Sequence, residues 1–121
     1  MMYLKKESVN VEVFNLSQLV GADKDFLFQI LDVNDETIKL FTSENITPSN
    51  RRYDKFNIEL SEDEDFNVGK INLKSGQFTY QIWEWDGSTL SLDNVVGDKP
   101  IEIGKVVVET FNDTSEKNIY D

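Results

Sequence analysis

The sequence predicts an all-β domain, an antiparallel two-sheet β-sandwich of immunoglobulin or fibronectin type with about seven to nine short strands. Three observations predict it. Apolar residues alternate with polar ones at period two along most of the chain, which is the pattern of strands whose successive side chains point to opposite faces. Turn-forming clusters recur at roughly ten-residue spacing. No window carries an apolar stripe of helical period with caps, and one helical turn near Ser17 to Leu19 is the most that the pattern allows. A small closed barrel has the same periodicity and is the competing architecture.

Taken in order, Val9, Val11 and Val13 alternate with Asn10, Glu12 and the less polar Phe14. Phe26, Phe28 and Ile30 form the next row, but Leu27 and Leu31 lie between them, so this strand is expected to be covered on both faces. Thr37 to Thr42 pairs with it across the turn Asn34, Asp35 and Glu36. Phe56, Ile58 and Leu60 alternate with Asn57 and Glu59, and Ile71 with Leu73 gives a short strand before Ser75 and Gly76. Phe78, Tyr80 and Ile82 then alternate with Thr79 and Gln81, while Trp83 and Trp85 shift the aromatic row to the other parity. Asp86 and Gly87 read as a two-residue type I′ hairpin returning through Thr89 to Leu92. The stretch DNVVGDKP reads as a loop punctuated by Gly97 and Pro100, and Ile101 to Glu109 as the last strand. Residues 1–109 are thus expected to form one domain, with 110–121 a polar C-terminal arm relieved only by Phe111, Ile119 and Tyr120. At 121 residues the chain is too short for two independent cores.

Composition narrows the function. The formal net charge is −11, from 23 acidic and 12 basic residues. A field of that sign repels phosphate backbones and anionic headgroups, so nucleic acid and membrane surfaces are poor partners. There is no cysteine and no histidine, which removes disulfides, thiolate nucleophiles, zinc-finger sites and imidazole acid–base chemistry. The opening MMYLKKESVNVEVF lacks a signal-peptide core and no run reaches membrane-spanning length, so synthesis in a cytoplasm is expected. No nucleophile elbow, phosphate loop or dinucleotide fingerprint occurs. Ser and Thr stand without an activating base, so neither an enzyme nor a catalytic residue, cofactor or small-molecule substrate is expected.

Four constellations carry both a functional and a plain reading. The acidic run Glu62, Asp63, Glu64 and Asp65 offers carboxylate oxygens for calcium, but between two strands a charged turn is the ordinary finding. Asp32, Asn34 and Glu36 imitate the start of an EF-hand loop that fails at Thr37, where Gly is required, and at Ser43, where Glu is required. No metal is therefore expected. Arg51, Arg52 and Tyr53 concentrate the chain's only arginines beside a tyrosine, a composition enriched in tight interfaces. The plain reading is a local ion pair and an edge cover. Tyr80, Trp83 and Trp85 form a candidate stacking platform for a sugar or peptide, against cross-strand packing as the plain reading.

The segments FLFQI, SNRRYDKFNIEL, LKSGQFTYQIWEW and IEIGKVVVE, in that order between residues 26 and 109, resemble small virion-associated structural proteins of crAss-like and related tailed phages and prophages of Bacteroidetes. Asp54 stands where that pattern usually has Asn, and Trp83 where its second Tyr is usual. The resemblance implies a head accessory, head-fibre anchor or neck or tail component of the virion, present in many copies. Its implied partners are other phage structural proteins, the capsid, portal, neck or tail subunits. It brings no catalytic residues. A carbohydrate- or host-surface-binding sandwich module is the alternative.

Overall fold

In the computed structural model, residues 2–6, 9–14, 16, 25–43 and 54–109 are described. They form nine strands: β1 (Met2–Lys5), β2 (Val9–Phe14), β3 (Asp25–Leu31), β4 (Thr37–Phe41), β5 (Asp54–Leu60), β6 (Lys70–Ile71), β7 (Gly76–Trp85), β8 (Val95–Val96) and β9 (Glu102–Glu109). The larger sheet runs β1-β9-β7-β3-β4, with β8 pairing on β7, and the smaller runs β2-β5-β6. The expected helical turn at Ser17 to Leu19 and the C-terminal arm lie outside the described residues.

One core lies between the two sheets. The larger sheet contributes Met2, Leu4, Phe26, Phe28, Ile30, Phe41, Tyr80, Ile82, Val106 and Val108, and the smaller contributes Phe14, Phe56, Ile58, Leu60 and Ile71. Its centre is aromatic. Phe28 stacks on Phe41 at 5.2 Å between ring centroids and meets Phe56 edge-on at 5.1 Å, and Phe14 meets Tyr80 edge-on at 5.8 Å. Such offset and edge geometries add roughly 0.5–1.5 kcal/mol per pair beyond the area they bury.

The all-β class holds, but the sheets are mixed rather than antiparallel throughout. β1 pairs parallel with β9, Met2 opposite Val106, and β5 pairs parallel with β6. Periodicity fixes which way side chains point, not which way a neighbouring strand runs, so direction was not readable. The parallel edge strand β1 alternates Met2 and Leu4 inward with Tyr3 and Lys5 outward, a pattern too short to stand out beside Lys5 and Lys6.

β3 is buried on both faces as expected, and β4 returns beside it. The turn is set by Asp32, whose Oδ1 accepts from the N–H groups of Asn34 and Glu36 at 2.8 and 3.0 Å. The hairpin at Asp86 and Gly87 differs from the type I′ expectation. Only Gly87 has positive φ, and a Cβ there would lie 2.7 Å from Asp25 Oδ2. Asp86 Oδ1 instead accepts from the Ser88 N–H, and the Trp85 indole donates to the Thr89 carbonyl at 3.0 Å. The loop therefore widens through Thr89 to Leu92, and the return strand is β8, with Trp85 opposite Val95.

Candidate functional site

The smaller sheet turns an apolar row outward. On β2 the valines face solvent, with Val9, Val11 and Val13 51–57% exposed, whereas Phe14 and Leu16 are buried. Phe14 decides this parity. Its ring belongs to the central aromatic cluster, and Glu12 and Asn10 share its side of the strand by alternation. Each half-exposed valine forgoes about 1 kcal/mol of burial, on the usual side-chain transfer scale.

Their cross-strand neighbours are Glu59, Asn57 and Lys55. β2 is an edge of its sheet among the described residues. The Glu59 N–H donates away from β2, to the Gly69 carbonyl at 2.8 Å, and Ile58 turns its carbonyl toward β2, where Asn10 Nδ2 reaches it at 3.2 Å. Antiparallel pairing then makes Asn10, Glu12 and Phe14 the residues bonded to β5, and it leaves the N–H and C=O groups of Val9, Val11 and Val13 pointing off the sheet edge. The row thus presents side chains on one surface and backbone donors and acceptors along its rim.

Under the row, Glu12 faces the interior. Partial burial pushes its carboxyl up to about 7. The Tyr80 hydroxyl donates to Glu102 Oε2 at 2.7 Å, and burial first, then that bond, pushes the phenol above its ordinary range.

The three aromatic candidates do not share a face. Tyr80 is 2% exposed and lies in the core between the sheets. Trp83 and Trp85 lie on the opposite, outer face of the larger sheet, across from Leu27 and Asp25. There Trp83 Nε1 donates to Gln29 Oε1 at 2.9 Å, Gln29 Nε2 donates to Thr37 Oγ1 at 2.7 Å, and Trp85 is buried. Arg51, Arg52 and Tyr53 lie outside the described residues. In the acidic run, Glu64 Oε2 accepts from Lys39 Nζ and from the Asn72 N–H, which holds its carboxyl below the usual range. Among the described residues no three acidic side chains gather as a metal site, and no helix is long and apolar enough to cross a membrane.

The valine row was visible in the sequence as an alternation, but its outward direction was not. Only the commitment of Phe14 to the aromatic core gives the strand its sense. Comparison with protein-family models, with curated proteins and with solved structures gives no match.

Proposed function

We propose that this chain is a non-catalytic assembly module, a structural protein of a tailed-phage virion that acts by protein–protein contact. The observation that carries the assembly reading is β2, an edge strand among the described residues, offering an exposed valine row and a rim of outward backbone groups. Strand addition at such an edge is a recurring mode of protein recognition. The virion setting rests on the resemblance of FLFQI, SNRRYDKFNIEL, LKSGQFTYQIWEW and IEIGKVVVE to phage structural proteins, and the high negative charge suits a component that must stay dispersed until it meets its lattice. Arg51, Arg52 and Tyr53 remain a second candidate contact on sequence grounds.

Mass spectrometry and immunogold labelling of purified particles test the reading. The protein is expected at a stoichiometry of many copies per particle, and its absence from particles that are otherwise complete would overturn the virion role.

A further inference from the structure

We propose that the occupant of the β2 edge is β2 of a second copy of this chain, added antiparallel about a two-fold axis through Val11. The three-stranded sheet then continues as six strands. This deepens the assembly reading by naming the partner.

The register is self-complementary. A two-fold at Val11 sets Val9 opposite Val13 of the second copy, Val11 opposite its own equivalent, and Asn10 opposite Glu12. The outward N–H and C=O groups belong to Val9, Val11 and Val13, so every pair that must exchange hydrogen bonds is a valine pair, and the six valines form one continuous row. Glu12 meets Asn10 rather than another Glu12. On the outer surface Lys55 flanks Val13 and Glu59 flanks Val9, so Glu59 of one copy and Lys55 of the other, opposite in sign, end the same row across the four strands, about 14 Å apart. A chain of net charge −11 needs such a locally balanced strip to approach itself.

The other described edges are defended. β1 is four residues long and ends in Lys5, β6 has two residues, and β4 carries Lys39 beside a register shift at Ile30 and Leu31. Short length, lysine and irregular register are the ordinary means of preventing edge-to-edge pairing. β2 has six residues, no lysine and no proline, and its register with β5 is unbroken.

Sedimentation velocity on the full chain, from micromolar to millimolar concentration, should show the mass rising from one chain to two. Val11→Pro removes an N–H that the β2–β5 ladder does not use, as edge strands tolerate, and Val11→Lys sets two charges against each other at the axis. Both variants should keep the native circular dichroism and remain monomeric. Because the chain lacks cysteine, register can be read by oxidation. Residues directly opposite at a hydrogen-bonded antiparallel pair lie about 5.5 Å apart at Cα, within disulfide range. Val11→Cys should therefore cross-link with itself. Val9→Cys should do so only when mixed with Val13→Cys. A chain monomeric at every concentration, folded Val11 variants that still dimerise, or Val9→Cys cross-linking alone as fast as Val11→Cys would each overturn the proposal. A monomer that nonetheless enters particles would refute the second copy and leave the proposed function standing, and a dimer absent from particles would do the reverse.

Discussion

Tyr80 lies directly opposite Gly104 on the neighbouring strand, and its ring occupies the space that a side chain at Gly104 would need. A Cβ built at Gly104 would sit 2.5–2.6 Å from Cε2, Cζ and Oη of the tyrosine. The glycine lets the ring lie flat across β9, and this carries the hydroxyl to Glu102, two residues away on the same face. Gly104→Ala should therefore cost about 1–3 kcal/mol in a denaturant titration, as overpacking typically does. Tyr80→Phe keeps the ring and removes one hydrogen bond, so it should cost about 0.5–1.5 kcal/mol. If Gly104→Ala proves the milder of the two, the ring is not pinned over the glycine.

The outer face of the larger sheet supplies a second measurement. Gln29 is 5% exposed and bridges Trp83 to Thr37. Trp83→Phe strands the Gln29 carbonyl oxygen, and Gln29→Leu strands the indole N–H, so each should cost about 1–3 kcal/mol. The double variant strands neither. A double-mutant cycle should return a coupling of about 0.5–3 kcal/mol, and strict additivity would show that the bridge contributes nothing.

Much of the fold was legible because parity is written in the chain. Phe26 to Leu31 announces a strand with two apolar faces, and the structure covers both: Phe28 enters the aromatic core while Leu27 is buried on the outer side. The turn and the valine row fail through tertiary choice, and the aromatic platform through parity, which the sequence already shows. Asp86 and Gly87 satisfy a local turn rule, yet the Trp85 indole and the Asp86 carboxylate bind a wider loop. Tyr80 and Trp83 are three residues apart and both aromatic, but an odd separation on one strand puts them on opposite faces. The valines of β2 were the most apolar row of their strand, and Phe14, one position beyond them at the other parity, overrides all three. Strand direction left no trace in composition, so the parallel pairs of β1 with β9 and β5 with β6 were not readable.

Calcium should not stabilise the domain. Glu64 is occupied by Lys39 and the Asn72 N–H, and Asp65 Oδ1 accepts from the Asn67 N–H, so two of the four carboxylates of the run between β5 and β6 are already engaged within the domain. Differential scanning fluorimetry with about 1 mM calcium, the weak end of known protein sites, should leave Tm unchanged relative to a chelator. A rise of several degrees would show that the acidic run binds the ion.

Glu12 should make stability fall with rising pH in a defined window. Burial raises its folded-state pKa from 4.5 to about 7, opposed in part by a nearby positive charge. Below 4.5 the carboxyl is protonated in both folded and unfolded chains, and the folded state bears no buried charge. Between 4.5 and 7 the unfolded chain releases the proton while the folded chain retains it, so the folded state binds more protons and stability declines as pH rises. Above 7 the group is ionised in both states and the loss is complete. Glu12→Gln keeps the shape and removes the titration. The variant should match the wild type near pH 4, gain on it steadily from pH 5 to 7, and hold a constant advantage in Tm from pH 7.5 upward. Tyr80, which lies near Glu12, is present in both proteins, so the difference between the two curves reports on the one carboxyl. Parallel curves across the whole range would place Glu12 in solvent rather than beneath the valine row.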